Sequence, residues 1–482
     1  MSYIFSWLIL GVSVSWGAAP SLQFDPALQH CGVTERLGSE REKRLMTKAS
    51  KNRPVVASLS ELSVHDLNAM AMDLRPVVEE ASGARFKTMP GVRVGTKEAV
   101  QNALRQDASL FIRRLYDAPE HVLESMIASS VNMYYGILGK YDLQHSDVLL
   151  APEVMNGVIQ RGGFEGRGIM DAACLVLAHE LTHALQDQMV DLGGQLTSFR
   201  DQDEFDAARG VNEGHATFVE WRVAQILGLE DVFWQLNEVA QGWGKQGLMD
   251  PAAFETYALY GQGMKFIRTY YDRSGIASTW RPLQKPPSTT AVLFRPELYG
   301  SGHVVDLKYA GVLNGVEQKL TKGDWAVIHS YLGEFALRVD MAGLEESAVS
   351  EVLAHIVSSY QMAASRSDRR ASVRVIDFDA SAPAQAYLDL LEKGQEAMAK
   401  ARSTRGVKWS VTVTPYDAIS GDAAVRRVIA PVGAHASAVE TQSVWVVRGN
   451  RLVVVNVSGF RPGLRMDWTL EEVYQRLGES GN

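Results

Sequence analysis

Cysteine is nearly absent. Only Cys31 and Cys174 carry a thiol among 482 residues, which excludes a disulfide framework and leaves room for one bridge at most. The same scarcity excludes a zinc site built from spaced cysteine pairs. A strong excess of one charge is also missing: 48 Lys and Arg stand against 56 Asp and Glu, a formal net charge of -8. So mild an imbalance gives no footing for a nucleic-acid surface or an electrostatic membrane surface. No long apolar run follows the first residues, and no repeat of regular period is present. What remains, 46% hydrophobic and 22% charged, is the composition of an ordinary globular chain with material for two or three domains.

The first residues differ from the rest. Tyr3 to Trp16 form an apolar run of 14, followed by the small residues Gly17, Ala18 and Ala19. That is the length and ending of a signal peptide, and it falls short of the roughly 20 residues a membrane span needs. Export, to the periplasm or beyond, is the expectation. The run has no preceding Lys or Arg, and Pro20 hinders cleavage directly after Ala19, so an uncleaved anchor is the alternative. Glu35 to Pro54 then reads as a charged arm, surface helix or linker.

Further on, Lys97 to Tyr116 carries Val100, Ala103 and Leu104 at helical spacing. Lys140 to Pro152 reads as a hairpin, with a polar turn over Gln144 to Asp147 and an apolar run from Val148 to Ala151. The Gly-rich stretch Arg161 to Gly168 lacks the spacing of a phosphate cradle and reads as a connector. Asp171 to Asp191 should be a helix with Asp171 as its N-cap, and Asp203 to Leu227 a second one. A tyrosine-rich helical segment, Thr256 to Asp272, and a loop, Pro286 to Pro296, follow. Beyond Gly300 helices mix with strands, the clearest unit being a hairpin over Val444 to Val457 that turns at Gly449 and Asn450.

The chemistry concentrates in His179-Glu180-Leu181-Thr182-His183. On a helix, positions i and i+4 project from one face, so the two imidazoles can serve one tetrahedral metal ion. Glu180 is offset toward the adjacent face, where it can take a proton from a metal-bound water. Two histidines and a carboxylate on a helix otherwise rich in Leu, Val and Ala would be costly without a ligand, against the plainer reading of satisfied core histidines. A third protein ligand must come from another element. Glu213, in Asn212-Glu213-Gly214-His215-Ala216, is the foremost candidate, with His215, Glu220 and Glu204 as alternatives. Gly214 would let two helices approach closely, and Val211, Ala216, Phe218 and Val219 would pack the second helix on the first. Asp187, one turn beyond His183, either fixes a metal-binding imidazole from behind or is a surface charge.

The segment LAHELTHALQDQ resembles a bacterial family of exported HExxH proteins of the gluzincin kind, and more distantly thermolysin. The resemblance runs from about Lys140 to Tyr299. It implies zinc held by His179, His183 and Glu213, with Glu180 as general base, in a metallopeptidase acting on a peptide or protein. His215 stands where that family commonly has Asp. The loop keeps PPST from Pro286 but then reads Thr290-Ala291 and Leu293-Phe294-Arg295-Pro296 where the family has Glu-Gln and Leu-His-Pro.

The expected fold is α+β, divided into a signal peptide over 1–19, an N-terminal helical region over 20–136, a metallopeptidase core over 137–300 and a C-terminal α+β domain over 301–482. The donor that steadies the oxyanion is open among Tyr257, Tyr260, His215, Arg295 and His303. The strand near Val148 to Ala151 either receives an extended peptide as an added strand or is internal. Two other functions compete with peptide hydrolysis. One is a non-catalytic envelope or binding protein with structural zinc, against which the intact Glu180 argues, and the other is a zinc hydrolase of non-protein amides.

Overall fold

The computed structural model describes residues 56, 58–116, 118–132, 138–246, 257–300, 325–341, 344–366, 369–403, 408–415, 423–432 and 441–458. The expected signal peptide, the charged arm before Pro54, Cys31 and His303 lie outside these residues.

Helix α1 (Val64–Ser82) opens with a capping box between Ser63 and Asp66. It is followed by β1 (Val92–Val94), α2 (Lys97–Leu115), α3 (Glu120–Asn132), β2 (Gly139–Asp142), β3 (Asp147–Leu150), α4 (Pro152–Arg161) and α5 (Arg167–Val190). Leu175, Leu177, Leu181 and Leu185 of α5 are all fully buried, in the core that α5 shares with α1. Asp171 does not cap this helix. Gly166, at φ 54, breaks the chain direction a turn earlier, α5 begins at Arg167, and Asp171 is buried inside it. Asp191, left-handed at φ 54, ends it.

Helix α6 (Gln202–Leu227) starts where the Asp201 side chain accepts from the Glu204 N–H at 2.9 Å, and stops at left-handed Gly228. Val211, Phe218 and Val219 are fully buried in the core that α6 shares with α1 and α5, and Ala216 is fully buried as well. Helix α7 (Glu230–Gln246), a π-helical turn (Tyr257–Gln262) and α8 (Gly263–Ser274) follow. Gly214 does allow close approach, but of α8 rather than α5. A Cβ on Gly214 would sit 2.1 Å from the Gly263 carbonyl carbon, and one on Gly263 would sit 2.1 Å from the Gly210 oxygen.

The small sheet has the order β1-β3-β2, with β1 parallel and β2 antiparallel to β3. The hairpin expected over Lys140 to Pro152 is present, but its Val148 to Ala151 arm is the central strand. With both edges paired it has no place for an added peptide, and β2 is the edge that faces α5.

Among the described residues beyond 324, seven strands form one antiparallel sheet: β4 (Ala326–Tyr331), β5 (Ile356–Arg366), β6 (Arg369–Phe378), β7 (Lys408–Pro415), β8 (Ala423–Val432), β9 (Thr441–Arg448) and β10 (Arg451–Ser458). Their order is β4-β5-β6-β10-β9-β8-β7. The hairpin at Gly449 and Asn450 is β9–β10. Helix α9 (Ser381–Ser403) packs Tyr387, Leu388 and Leu391 against Ile376, Phe378, Trp445 and Val447. Helices and sheet together give an α+β class.

Contacts among the described residues fasten the sheet to the helices, and the first is apolar. Ile112, Met126 and Ile127 of α2 and α3 pack on Ala326, Ile328 and Ala363. In the second, Asp203 Oδ1 of α6 accepts from the Thr290 N–H (3.0 Å) and hydroxyl (2.5 Å), and the same Thr290 oxygen accepts from the Phe335 N–H (3.0 Å). Beside it Arg295 donates to Glu334 at 2.5 Å, and Glu334 accepts from Arg338. The PPST loop is thus an anchor for the start of α6. No helix among the described residues is long and apolar enough to cross a membrane.

Candidate metal centre

His179 and His183 project from one face of α5, and α6 brings Glu213 across to them. His179 Nε2 and His183 Nε2 are 3.1 Å apart, and Glu213 Oε2 lies 3.4 Å from the first and 3.3 Å from the second. Donors bound about 2.0–2.1 Å from a tetrahedral zinc ion stand roughly 3.3 Å from one another. The three observed edges match that figure.

The outer nitrogens show why these atoms do not satisfy each other. His179 Nδ1 meets Glu220 Oε2 at 3.1 Å, and His183 Nδ1 meets Gln186 Oε1 at 2.9 Å. Carboxylate and amide oxygens only accept, so each imidazole carries its proton on Nδ1, and each Nε2 presents a lone pair. Glu213 Oε2 is buried with no hydrogen-bond partner. Two lone pairs and a carboxylate oxygen therefore converge on one point, which calls for a cation.

The electrostatics agree. Burial alone would push the His179 imidazole down, yet Glu213, Glu220 and Glu180 outweigh it and pull the group up to about 10. Burial likewise works against ionisation of Glu213, and the two imidazoles overcome it and hold the carboxyl well below its usual range. At Glu220 burial wins and raises the carboxyl. Three carboxylates around two imidazoles favour positive charge between them, and without a metal a proton on His179 takes that place. The residues fit a zinc ion in number, donor type and spacing.

Glu180 lies beside the triangle. Its Oε2 accepts from the Tyr141 N–H of edge strand β2 at 2.8 Å, and Gly139 abuts it so closely that a Cβ there would stand 3.0 Å from Glu180 Cγ. The Tyr141 hydroxyl donates in turn to Asp187 Oδ2 at 2.9 Å. Asp187 therefore braces β2, and the partners that fix the two histidines are Glu220 and Gln186.

The π-helical turn sets Tyr260 over the site, its ring stacked on His179 with centroids 5.7 Å apart and planes 14° from parallel. Burial, with the Glu213 charge behind it, holds the phenol protonated well above its usual range. Of the other candidates, His215 is not a ligand: it is fully buried and accepts from Gln186 Nε2 through Nδ1 (3.1 Å). Glu204 pairs with Arg200, and Arg295 is committed to Glu334. The Tyr257 side chain lies outside the described residues. Sequence reasoning missed Gln186, although its place three residues after His183 put it on the same helix face.

No sequence-family model and no curated protein sequence matches the chain. Among solved structures, a candidate hydrolase with a novel fold from Chloroflexus aurantiacus is similar at 17% identity and a TM-score of 0.35, over 54% of this chain and 96% of that one.

Proposed function

We propose that this protein is a zinc-dependent peptidase whose metal ligands are His179, His183 and Glu213 and whose general base is Glu180. The observation that carries the reading is the triangle of donor atoms, 3.1, 3.3 and 3.4 Å on its edges, with a carboxylate held next to it. A bound zinc ion supplies Lewis acidity and a water of lowered pKa. Glu180, its Oε2 tied to the Tyr141 N–H, takes a proton on Oε1 and delivers it to the leaving amine. Tyr260, protonated and adjacent to Glu213, is the donor placed to steady the oxyanion. The outer edge of β2, beside Glu180, is where an extended peptide can lie. A structural zinc site would be closed by a fourth protein ligand, whereas three ligands with an adjacent base make a catalytic one.

The test combines zinc stoichiometry on the purified protein with cleavage of a broad peptide library by wild type and Glu180→Gln. One zinc per chain, cleavage by wild type and loss of cleavage in the variant are expected. Zinc with no cleavage by either protein would point to a binding or structural role. Cleavage of amides but not peptides would correct the substrate class.

A further inference from the structure

His215 is a fully buried imidazole that the proposed mechanism does not use. Its surroundings define how it is bonded. Gln186 Nε2 donates both to the Asn212 carbonyl (2.9 Å) and to His215 Nδ1 (3.1 Å), while Gln186 Oε1 accepts from His183 Nδ1 (2.9 Å). Since Nδ1 accepts, the His215 proton is on Nε2. That atom has no hydrogen-bond partner, and its ring lies against Trp280 with centroids 4.6 Å apart and planes at 60°. Trp280 is itself pinned, donating to the Ser82 carbonyl at 2.8 Å.

The two acceptors on α6 make the amide of Gln186 directional. Turned over, it would set its oxygen against the Asn212 oxygen and the His215 lone pair, and its NH2 against the His183 N–H. Asn212 O is a backbone atom that any residue at 212 supplies, so His215 is the one of the two acceptors that depends on a side chain. We infer that His215 is a positioning residue for the metal: through Gln186 it holds the His183 ring in the tautomer that bares Nε2, and it couples that ring to the helix carrying Glu213. The two metal histidines are thus supported differently, His179 by the carboxylate of Glu220 and His183 by a neutral amide whose orientation is set from α6. This inference rests on the zinc reading and adds a residue that the ligand set alone does not name.

The test is zinc affinity, measured by competition with a chromophoric chelator, together with the melting temperature of each metal-free variant. In His215→Asn, Oδ1 takes the place of Nδ1 at the same number of bonds from Cβ. In His215→Leu, a methyl group stands there. Loss of an outer partner of a metal ligand weakens metal binding about 10- to 100-fold, and a group acting through a second residue belongs near the lower figure. His215→Leu should bind zinc about tenfold more weakly than wild type, while His215→Asn stays within about threefold. A merely structural role predicts the opposite order, because Leu suits an apolar interior better than Asn. If Leu at 215 prevents folding, Gln186→Met removes the acceptor for His183 and should weaken zinc binding about 10- to 100-fold. Wild-type zinc affinity in His215→Leu or Gln186→Met, or equal weakening in the Leu and Asn variants, would overturn the inference. Absence of zinc from wild type would instead refute the metal centre itself.

Discussion

Gly214→Ala tests how the site is assembled. The added Cβ would lie 2.1 Å from the carbonyl carbon and 2.5 Å from both the Cα and the oxygen of Gly263. Ordinary contact begins at 3.4 Å, so α6 and α8 must part by about 1.3 Å, and the obstacle is backbone that no rotamer change can move. Overpacking of this kind costs about 1–3 kcal/mol, a sizeable share of the 5–15 kcal/mol that typically holds a domain folded. The displacement also falls between Glu213 on α6 and Tyr260, three residues before Gly263. Misplacement of a reacting group by about 1 Å lowers rates on the order of 100-fold. Urea unfolding should therefore show a loss of about 1–3 kcal/mol. Peptidase assays should show kcat falling much more than zinc occupancy, because the ligands on α5 and α6 do not depend on α8. Unchanged stability together with unchanged kcat would mean that the two helices are not in backbone contact.

Further outcomes follow from the same geometry. Glu180→Gln should retain zinc, since Glu180 is not a ligand, and lose roughly 10²- to 10⁴-fold in kcat; an active variant would remove Glu180 from its role. Chelation at neutral pH should lower the melting temperature, and stoichiometric zinc should restore it, because an ion held only by the folded arrangement of His179, His183 and Glu213 stabilises that state by mass action. Asp203 is the pH probe: burial raises it to about 6, against the opposing hydrogen bonds from Thr290. Its folded value lies above the unfolded one, so its contribution is full below about pH 4 and is lost as the pH rises through about 6, a span worth ~3 kcal/mol. Asp203→Asn keeps an acceptor for Thr290 without the charge. Urea unfolding at pH 4.5 and 8 should show the variant gaining on wild type at the higher pH, and a flat difference would refute the assignment.

Local pattern carried much of this structure. The i, i+4 histidines on an apolar helix needed only helical geometry to be read as a metal pair, and Glu213 stood out by its place on the next long helix. Legibility failed where a position depended on distant partners. Asp187 has the right chemistry to brace a histidine, but α5 turns it toward Tyr141 on β2, while Gln186, a weaker chemical candidate, sits behind His183. The parallel pairing of β1 with β3 joins Val92 to Val148, far apart in sequence, and makes β3 internal. The helix α5 starts ahead of the polar cap that Asp171 suggests, because Gly166 at φ 54 ends the preceding connector. Tyr260 was one of several tyrosines until Gly210, Gly214 and Gly263, brought together from two helices, fixed the turn that carries it.

The central claim is that His179, His183 and Glu213 bind one zinc ion, and anomalous diffraction at the zinc edge from crystals of the zinc-reconstituted protein tests it most directly. The account predicts a single strong peak about 2.0–2.1 Å from His179 Nε2, His183 Nε2 and a Glu213 carboxylate oxygen. A peak elsewhere, or none after reconstitution, would contradict it.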